Sequence, residues 1–243
     1  MTDSKQIIPL ESNPTIFTEL AYKLGLSPIL QFHDVYSLTD PDLLSFLPQP
    51  IFGIILLFPL TTNYETYRQN EDSQHPKYEN ENNNKILWLK QTIGNGCGLY
   101  ALLHILINLS SDLNLSNSQI NDLINNLKGQ NLSVEEISLI IEKLEKNLKT
   151  DENFGSKGQT EAPPADSSIN LHFISFIRGK NNHLYELDGR RNGPIDLGEI
   201  SDLGKNNLIN ESKLVEKIQF YIDNADEENK HNFAIMALGP TLD

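Results

Sequence analysis

Cysteine is nearly absent from this chain of 243 residues, which contains only Cys97. A single cysteine excludes an intrachain disulfide framework and favours a reducing compartment. Basic residues are also scarce, with 19 lysines and arginines against 33 aspartates and glutamates and a net charge of −14. This balance disfavours nucleic acid as a partner, because phosphates need a basic surface. It is typical either of a protein with a basic partner or of a chain kept soluble by its charge.

Long apolar runs are missing as well. The longest, residues 51–60, is too short to span a bilayer, and the first residues, MTDSKQ, do not resemble a signal peptide. The sequence contains neither an HExxH motif nor a pair of CxxC motifs, the patterns that would indicate a metal site. We therefore expect a soluble monomer of the cytoplasm, with the nucleus as the alternative compartment, that needs no membrane, metal or cofactor.

The patterns of apolar residues predict one α+β domain over residues 1–243. Helices dominate the first two-thirds and strands the last third, which favours α+β over a βα alternation. The predicted helices cover about 14–24, a short stretch from 41, 98–109, 118–128, 133–149 and 213–222. The predicted strands cover about 31–38, 51–58, 86–90, 171–177, 183–187 and 232–238.

Two polar segments interrupt these elements. Residues 63–85 begin with helical character and end in EDSQHPKYENENNNK, which we interpret as a surface excursion. The segment from Thr150 to Ser168, TDENFGSKGQTEAPPADSS, has almost nothing to bury. An unstructured run of that length within a compact domain is usually functional or disordered.

The lone cysteine lies in the stretch QTIGNGCGLYALLHIL, where a helix begins. A single cysteine is most often a small buried hydrophobic residue. A thiol in the first turn of a helix, however, feels the positive end of the helix dipole, which stabilises a thiolate. Gly94, Gly96 and Gly98 would leave room for an acyl group and free backbone N–H groups for an oxyanion. A GxGxxG nucleotide loop is excluded because Leu99 stands where the motif needs glycine.

A nucleophilic thiol needs a base, and the chain has six histidines. His104 is two turns further along the same helix as Cys97, so it is too far along the axis and is predicted to be a hydrogen-bonded packing residue. The segment LHFISFIRGKNNHLYELDG predicts a hairpin. If the hairpin is centred on Lys180, His172 lies directly opposite Asp188, with Cβ atoms about 4.5–5.5 Å apart.

Such a pair would fix the imidazole tautomer as in a catalytic triad. An ordinary cross-strand ion pair is the alternative interpretation, and a one-residue change of register would separate the two side chains. His183 falls in the predicted turn and has no equivalent partner there.

Several segments together resemble the ubiquitin C-terminal hydrolase family, cysteine proteases of papain-like architecture. Leu99 departs from the threonine that is common after the Cys-Gly pair in many members, but this is not a catalytic position. The matching segments are LESNP (10–14), QFHDVY (31–36), IILLFP (54–59), Gln91 with NGCG (95–98), LHFISF (171–176), LYELDGR (184–190) and FAIMAL (233–238).

The resemblance implies a role for each matching position. Cys97 would be the nucleophile, His172 the base, Asp188 the residue that orients it, and Gln91 the oxyanion donor. Glu11 and Asp34 lie in segments that border the ubiquitin surface in the family.

It also implies a fold, an antiparallel papain-like sheet flanked by helices. The family backbone is knotted, which is an exception among protein folds. Thr150 to Ser168 align with the crossover loop that arches over the active site, and the ubiquitin tail lies in a narrow groove beneath it.

The implied activity is hydrolysis of small adducts or short peptides from the C-terminal glycine of ubiquitin, the expected partner. A ubiquitin-binding module without activity is one alternative, and the intact set of four residues argues against it. A general papain-like endopeptidase is another, and the crossover loop argues against it.

Overall fold

Six antiparallel strands form one sheet in a computed structural model that describes residues 5–75, 77–78, 85–129, 132–151 and 170–242. The strands are β1 (Leu30–Asp34), β2 (Gly53–Pro59), β3 (Leu171–Arg178), β4 (His183–Leu187), β5 (Ile195–Glu199) and β6 (Ala234–Pro240). Their order across the sheet is β1-β6-β2-β3-β4-β5. The helices are α1 (Pro14–Leu24), α2 (Pro41–Ser45), α3 (Thr62–Gln74), α4 (Cys97–Asn108), α5 (Gln119–Gly129), α6 (Val134–Asp151), α7 (Asp202–Asn206) and α8 (Ser212–Asp223). The α+β class expected from the sequence is confirmed.

The sheet carries a hydrophobic core on each face, because alternate residues of its central strands point in opposite directions. Ile55 of β2 and Phe173 of β3 belong to the core that contains α1, α4, α5 and α6. Ile54 and Ile174 belong to the second core, which α8 covers. The apolar sequence of β2 is explained by this burial on both faces, as predicted.

Local capping signals are confirmed where the sequence predicted them. The Asn13 side chain accepts a hydrogen bond from the backbone N–H of Thr15 at 3.0 Å, with Pro14 as the first residue of α1. At the start of α6, Glu136 N–H donates to the Ser133 hydroxyl at 3.2 Å, and Ser133 N–H donates to the Glu136 carboxylate at 2.8 Å. This is the reciprocal capping box read from the sequence.

The strand predicted at 86–90 is wrong, because this extended segment pairs with side chains of α4 instead of a neighbouring strand. Leu87 N–H donates to Asn108 Oδ1 at 2.7 Å, and Asn108 Nδ2 donates to the Leu87 carbonyl at 2.8 Å. Leu89 N–H donates to His104 Nε2 at 3.0 Å. The backbone groups of Leu87 and the N–H of Leu89 are therefore satisfied without a sheet partner.

The surface excursion predicted over 71–85 is also wrong in part. Residues 71–74 complete α3, and buried Asp72 lies 3.4 Å from the guanidinium of Arg191. Tyr78 is packed against the molecule, since its hydroxyl donates to the Ile86 carbonyl at 3.0 Å and its ring contacts Trp88.

Other boundaries differ from the predictions. Strand β1 ends at Asp34 rather than 38, β6 covers 234–240 rather than 232–238, and β5 and α7 were not predicted. Helix α6 extends to Asp151, so the predicted crossover loop, 150–168, lies outside the described residues except at its first two positions. The knotted path stays a prediction. Within the described ranges, every helix is too short or too polar to cross a membrane.

Candidate active site

Cys97 is the first residue of α4, as its sequence context predicted. Gly96 precedes it as the N-cap residue and has no side chain to accept from the first turn, which leaves N–H groups of that turn without a cap. The remainder of the helix is buried from Gly98 to Ile107, so its position is fixed by the core. The half-buried thiol therefore lies at the positive end of a well-anchored helix.

His172 is buried on β3, directly opposite Phe58 of β2, and lies close enough to Cys97 for its charge and hydrogen bonding to lower the pKa of the thiol. Its Nε2 lies 2.7 Å from Asp188 Oδ1, which leaves Nδ1 for the sulfur. The structure therefore joins Cys97, His172 and Asp188 in one chain of contacts, from three separate segments of the sequence.

These contacts shift the pKa values of all three groups. Burial alone would raise the pKa of Cys97, but the hydrogen bond and charge of His172, with backbone hydrogen bonds to Phe173 and Gly98, lower it. Burial would lower the pKa of His172, but the charge and hydrogen bond of Asp188 raise it. The pKa of Asp188 is lowered by His172 against the effect of its own burial. The arrangement favours a thiolate beside an imidazolium.

The contact between His172 and Asp188 does not arise from the register predicted for the hairpin. The observed pairs, such as Ser175 with Leu187, show that the hairpin is centred in sequence on Asn181 rather than on Lys180. Asp188 follows the end of β4, and His172 approaches it diagonally, within reach of both side chains.

The turn explains the difference. Asn182 takes the left-handed conformation, with φ of 61°, and its N–H donates to the Gly179 carbonyl at 3.0 Å. Three residues, 180–182, therefore form the loop, which is a common hairpin geometry. His183 begins β4 and its Nδ1 lies 2.9 Å from Asp196 Oδ1, so the prediction that it lies in the turn without such a partner is wrong.

Asp188 is fixed from several directions. Its Oδ1 accepts the backbone N–H of Arg190 at 2.8 Å, and its Oδ2 accepts the Tyr64 hydroxyl at 3.0 Å. Its own carbonyl accepts the indole N–H of Trp88 at 3.1 Å. None of these partners was predicted, although Asp-Gly at 188–189 is a turn signal in which the aspartate side chain accepts a hydrogen bond from the backbone N–H two residues later.

Gln91 is attached to the turn that carries Asp188. Its backbone N–H donates to the Gly189 carbonyl at 2.8 Å, and its side-chain Nε2 donates to the Ile93 carbonyl at 3.2 Å. The amide oxygen is buried and has no hydrogen-bond partner within the described part of the chain. Because an amide nitrogen has two hydrogens, one N–H remains for a substrate oxygen.

Two of the glycines near the thiol make room for the N-terminal segment. A Cβ on Gly94 would lie 2.8 Å from Cγ of Gln6, and one on Gly98 would lie 3.2 Å from Cβ of Leu10. Ile7 N–H also donates to the Gly94 carbonyl at 3.1 Å. The space beside both glycines is filled by the chain itself, rather than left open for an acyl group as the sequence analysis expected.

Glu11 and Asp34 lie together, in a separate cavity of about 520 Å³ between the start of α1, β1 and α2. Cys97, His172 and Asp188 are not among the residues that line this cavity. Burial raises the pKa of Asp34. Tyr36 and Phe46 also line the cavity, and each is nearly 80% exposed, at 79% and 78%. Glu11 follows Leu10, which packs beside Gly98, so the cavity and the thiol are connected by one short segment.

His104 is the buried packing residue that the sequence predicted. Leu89 N–H donates to its Nε2, and burial lowers its pKa to about 4. The imidazole is therefore neutral near pH 7. Among the residues that the structure describes, no group of three or more histidine, cysteine, aspartate or glutamate side chains could hold a metal ion.

Comparison with known proteins gives consistent matches. The family model for "Ubiquitin carboxyl-terminal hydrolase, family 1" matches residues 7–223. The chain is 37% identical to the ubiquitin carboxyl-terminal hydrolase YUH1 of Saccharomyces cerevisiae over 248 residues, covering 98% of each protein. It is 36% identical to a ubiquitin carboxyl-terminal hydrolase of Drosophila melanogaster, over 80% of this chain and 83% of that protein.

A solved structure with a similar fold is the catalytic domain of Trichinella spiralis UCH37 bound to ubiquitin vinyl methyl ester. It is 21% identical in sequence and superimposes with a TM-score of 0.67, covering 97% of this chain and 95% of that one. The antiparallel sheet with flanking helices is common to both.

Proposed function

The chain belongs to family 1 of the ubiquitin carboxyl-terminal hydrolases, and from this premise we propose that Cys97, His172, Asp188 and Gln91 hydrolyse small adducts or short peptides from the C-terminal glycine of ubiquitin. The observation that carries this assignment is the contact chain from the thiol through His172 to Asp188. It supplies a nucleophile, a base and an orienting carboxylate in the order that acyl transfer needs.

In the first step the Cys97 thiolate attacks the carbonyl carbon of the terminal glycine. The helix terminus and the imidazolium favour this thiolate, so the nucleophile is charged before the substrate arrives. The C–S bond forms as the carbonyl electron pair moves to oxygen, which gives a tetrahedral oxyanion.

The oxyanion needs hydrogen-bond donors already in place. We assign this role to the free N–H of the Gln91 side chain, together with uncapped N–H groups in the first turn of α4. Donors that are preorganised in a site with little water stabilise such an oxyanion more than bulk water does.

His172 then transfers its proton to the leaving amine or thiol as the tetrahedral intermediate collapses to a thioester. A water molecule then gives one proton to the neutral imidazole as its oxygen attacks the thioester. The second tetrahedral intermediate collapses with loss of the Cys97 thiolate, which restores the thiolate–imidazolium pair, and the released ubiquitin carboxylic acid loses its remaining proton to solvent. Asp188 stabilises the imidazolium in both half-reactions without taking the proton itself.

The cavity that contains Glu11 and Asp34 is our candidate for part of the ubiquitin-binding surface. Its exposed aromatic side chains, Tyr36 and Phe46, adjoin carboxylates, a combination that suits a partner with basic and apolar groups. The negative charge of the whole chain would also attract the basic face of ubiquitin.

The test is hydrolysis of ubiquitin carrying a fluorogenic C-terminal amide, beside a fluorogenic peptide with the same last residues. Release from the ubiquitin derivative alone, lost in Cys97→Ser, is the expected result. Ubiquitin binding without release would identify the inactive binding module, and equal release from the peptide would identify a general endopeptidase. The Cys97→Ser variant should still bind ubiquitin.

We also propose that the chain is a monomer, works in the cytoplasm and accepts only small or unfolded leaving groups. The size limit rests on the resemblance of residues 150–168 to the crossover loop of the family. Cleavage of di-ubiquitin as fast as of a small ubiquitin amide would exclude it. Light scattering of the purified protein and imaging of a tagged chain test the other two points.

A further inference from the structure

The catalytic carboxylate has two oxygens, and they have different partners. Oδ1 of Asp188 faces His172 Nε2 at 2.7 Å and accepts the Arg190 N–H at 2.8 Å. Within the described ranges, the hydroxyl of Tyr64 supplies the one hydrogen bond to Oδ2, at 3.0 Å. Because Asp188 is fully buried, water cannot replace that donor.

We propose that Tyr64 is a positioning residue for the triad, whose hydroxyl holds the Asp188 carboxylate in the orientation that binds His172. This inference rests on the proposed function. The torsion about the last bond of an aspartate side chain is broad, so a carboxylate held through one oxygen can rotate. Holding the second oxygen fixes the plane of the carboxylate and hence the imidazole that it orients.

Tyr64 is itself firmly held. It lies in the first turn of α3, where its backbone N–H donates to the Thr61 hydroxyl at 3.1 Å, and it is only 6% exposed. Its ring contacts those of Phe58 and Tyr221, with centroids 4.8 and 5.7 Å away. Phe58 in turn packs against the His172 ring. The tyrosine therefore contacts the triad through its hydroxyl and, by way of Phe58, through its ring.

The hydroxyl remains a donor throughout the working pH range. Burial and the negative charge of Asp188 hold the pKa of Tyr64 well above its usual value. The nearby buried cation, Arg191, forms ion pairs with other carboxylates, since its guanidinium lies 3.2 Å from Glu186 and 3.4 Å from Asp72. Its charge stabilises the carboxylate but does not fix its orientation.

The chain offers a matched control for a test of the hydroxyl. Tyr221 is buried in the same aromatic cluster, at 4% exposure, but its hydroxyl has no hydrogen-bond partner in the described part of the chain. Replacing either tyrosine by phenylalanine removes one oxygen atom and keeps the ring contacts. Only Tyr64→Phe removes a hydrogen bond to Asp188.

We expect Tyr64→Phe to lower kcat on the fluorogenic ubiquitin amide by about 10- to 100-fold, the range that corresponds to loss of a hydrogen bond to a charged group. KM should stay unchanged, and Tyr221→Phe should retain parental kcat. Equal effects of the two substitutions, parental kcat in Tyr64→Phe, or a change confined to KM would each overturn the proposal.

A double-mutant cycle tests whether the effect acts through the carboxylate. In an Asp188→Ala background, Tyr64→Phe should change the remaining rate by less than about twofold, because the partner is already absent. The same loss in both backgrounds would show that Tyr64 acts by another route. If the parent itself fails to release the fluorophore, the proposed function fails; a parental rate in Tyr64→Phe beside a loss in Asp188→Ala refutes the positioning role alone.

Discussion

Cys97 and His172 depend on each other for their charge states. Each raises the population of the charged form of the other, and Asp188 adds to the effect on the imidazole. The thiolate is therefore present at a pH where an isolated cysteine is largely protonated, and the imidazolium persists where an isolated histidine is neutral. The two groups titrate as a coupled pair.

The dependence of kcat/KM on pH follows from these directions. The acidic limb, where Cys97 loses its proton and activity rises, should lie below the ordinary cysteine pKa of 9.0. The alkaline limb, where His172 loses its proton and activity falls, should lie above the ordinary histidine pKa of 6.5. Rates measured between about pH 4 and pH 10 should form a broad plateau between the two limbs. In Asp188→Asn the alkaline limb should move to lower pH. An alkaline limb at the same pH in both proteins would contradict this assignment.

Substituting Asp188, the carboxylate that we propose orients His172, should affect turnover far more than folding. Asp188→Asn is nearly isosteric, but the amide can donate to the imidazole and so favours the wrong tautomer. We expect kcat to fall by about 10²- to 10⁴-fold while circular dichroism stays native. Asp196→Asn, at the exposed pair with His183, is the matched control and should leave kcat unchanged. A near-parental kcat in Asp188→Asn would show that His172 does not need this partner.

At the scale of elements, the segment that leads to Cys97 is held by a helix and not by the sheet. Asn108, at the end of α4, exchanges hydrogen bonds with both backbone groups of Leu87, while His104 accepts from Leu89. The same helix carries Cys97 at its other end. The helix thus fixes both the Cys97 thiol and the chain segment that leads to it.

Removing the Asn108 side chain should therefore destabilise the fold. Asn108→Ala leaves the N–H and C=O of Leu87 without partners, and we expect the free energy of unfolding to fall by about 2–4 kcal/mol. Asn125→Ala is the matched control, because it makes the same substitution at an exposed position of α5, and it should change the free energy of unfolding by less than about 0.5 kcal/mol. Urea denaturation of both variants measures the difference, and equal midpoints would contradict the role of Asn108.

Sequence reasoning succeeds where an element depends on its own residues. The cap at Asn13, the capping box at Ser133 and the continuous apolar run of β2 are local signals, and each is confirmed. It fails where the partner is distant. The segment 86–90 is apolar enough for a strand, but side chains of α4 pair with the backbone of Leu87 and Leu89, and nothing in the segment itself indicates these partners.

The candidate site shows the same limit. The hairpin was predicted, but in a register that differs by two residues from the observed one. A shift of two residues keeps each side chain on the same face of the sheet, so His172 and Asp188 are still close to each other. The register itself depended on Asn182 adopting a left-handed conformation. Tyr64 lies 124 residues before Asp188, and no spacing rule connects them.

At the scale of the whole molecule, charge is the dominant property. A net charge of −14 creates a field that extends beyond any single contact and attracts a basic partner during diffusion. Such attraction is screened over about 8–10 Å near physiological ionic strength.

We therefore expect kcat/KM on ubiquitin substrates to fall severalfold as the salt concentration rises from about 20 to about 300 mM. Alkylation of Cys97 by iodoacetamide, a neutral reagent, is the control and should change little over the same range. A kcat/KM that is constant with salt would mean that the acidity serves solubility and does not steer the substrate.

The proposed mechanism requires that Cys97 attack the C-terminal carbonyl of ubiquitin with His172 as its base. The most direct test is reaction with ubiquitin whose C-terminus carries an electrophile, followed by peptide mapping with mass spectrometry. We expect one ubiquitin per chain, attached at Cys97, with no adduct in Cys97→Ser and slow labelling in His172→Ala. Labelling at any other residue, or an unlabelled parent chain under conditions where the Cys97 thiol still reacts with iodoacetamide, would contradict it.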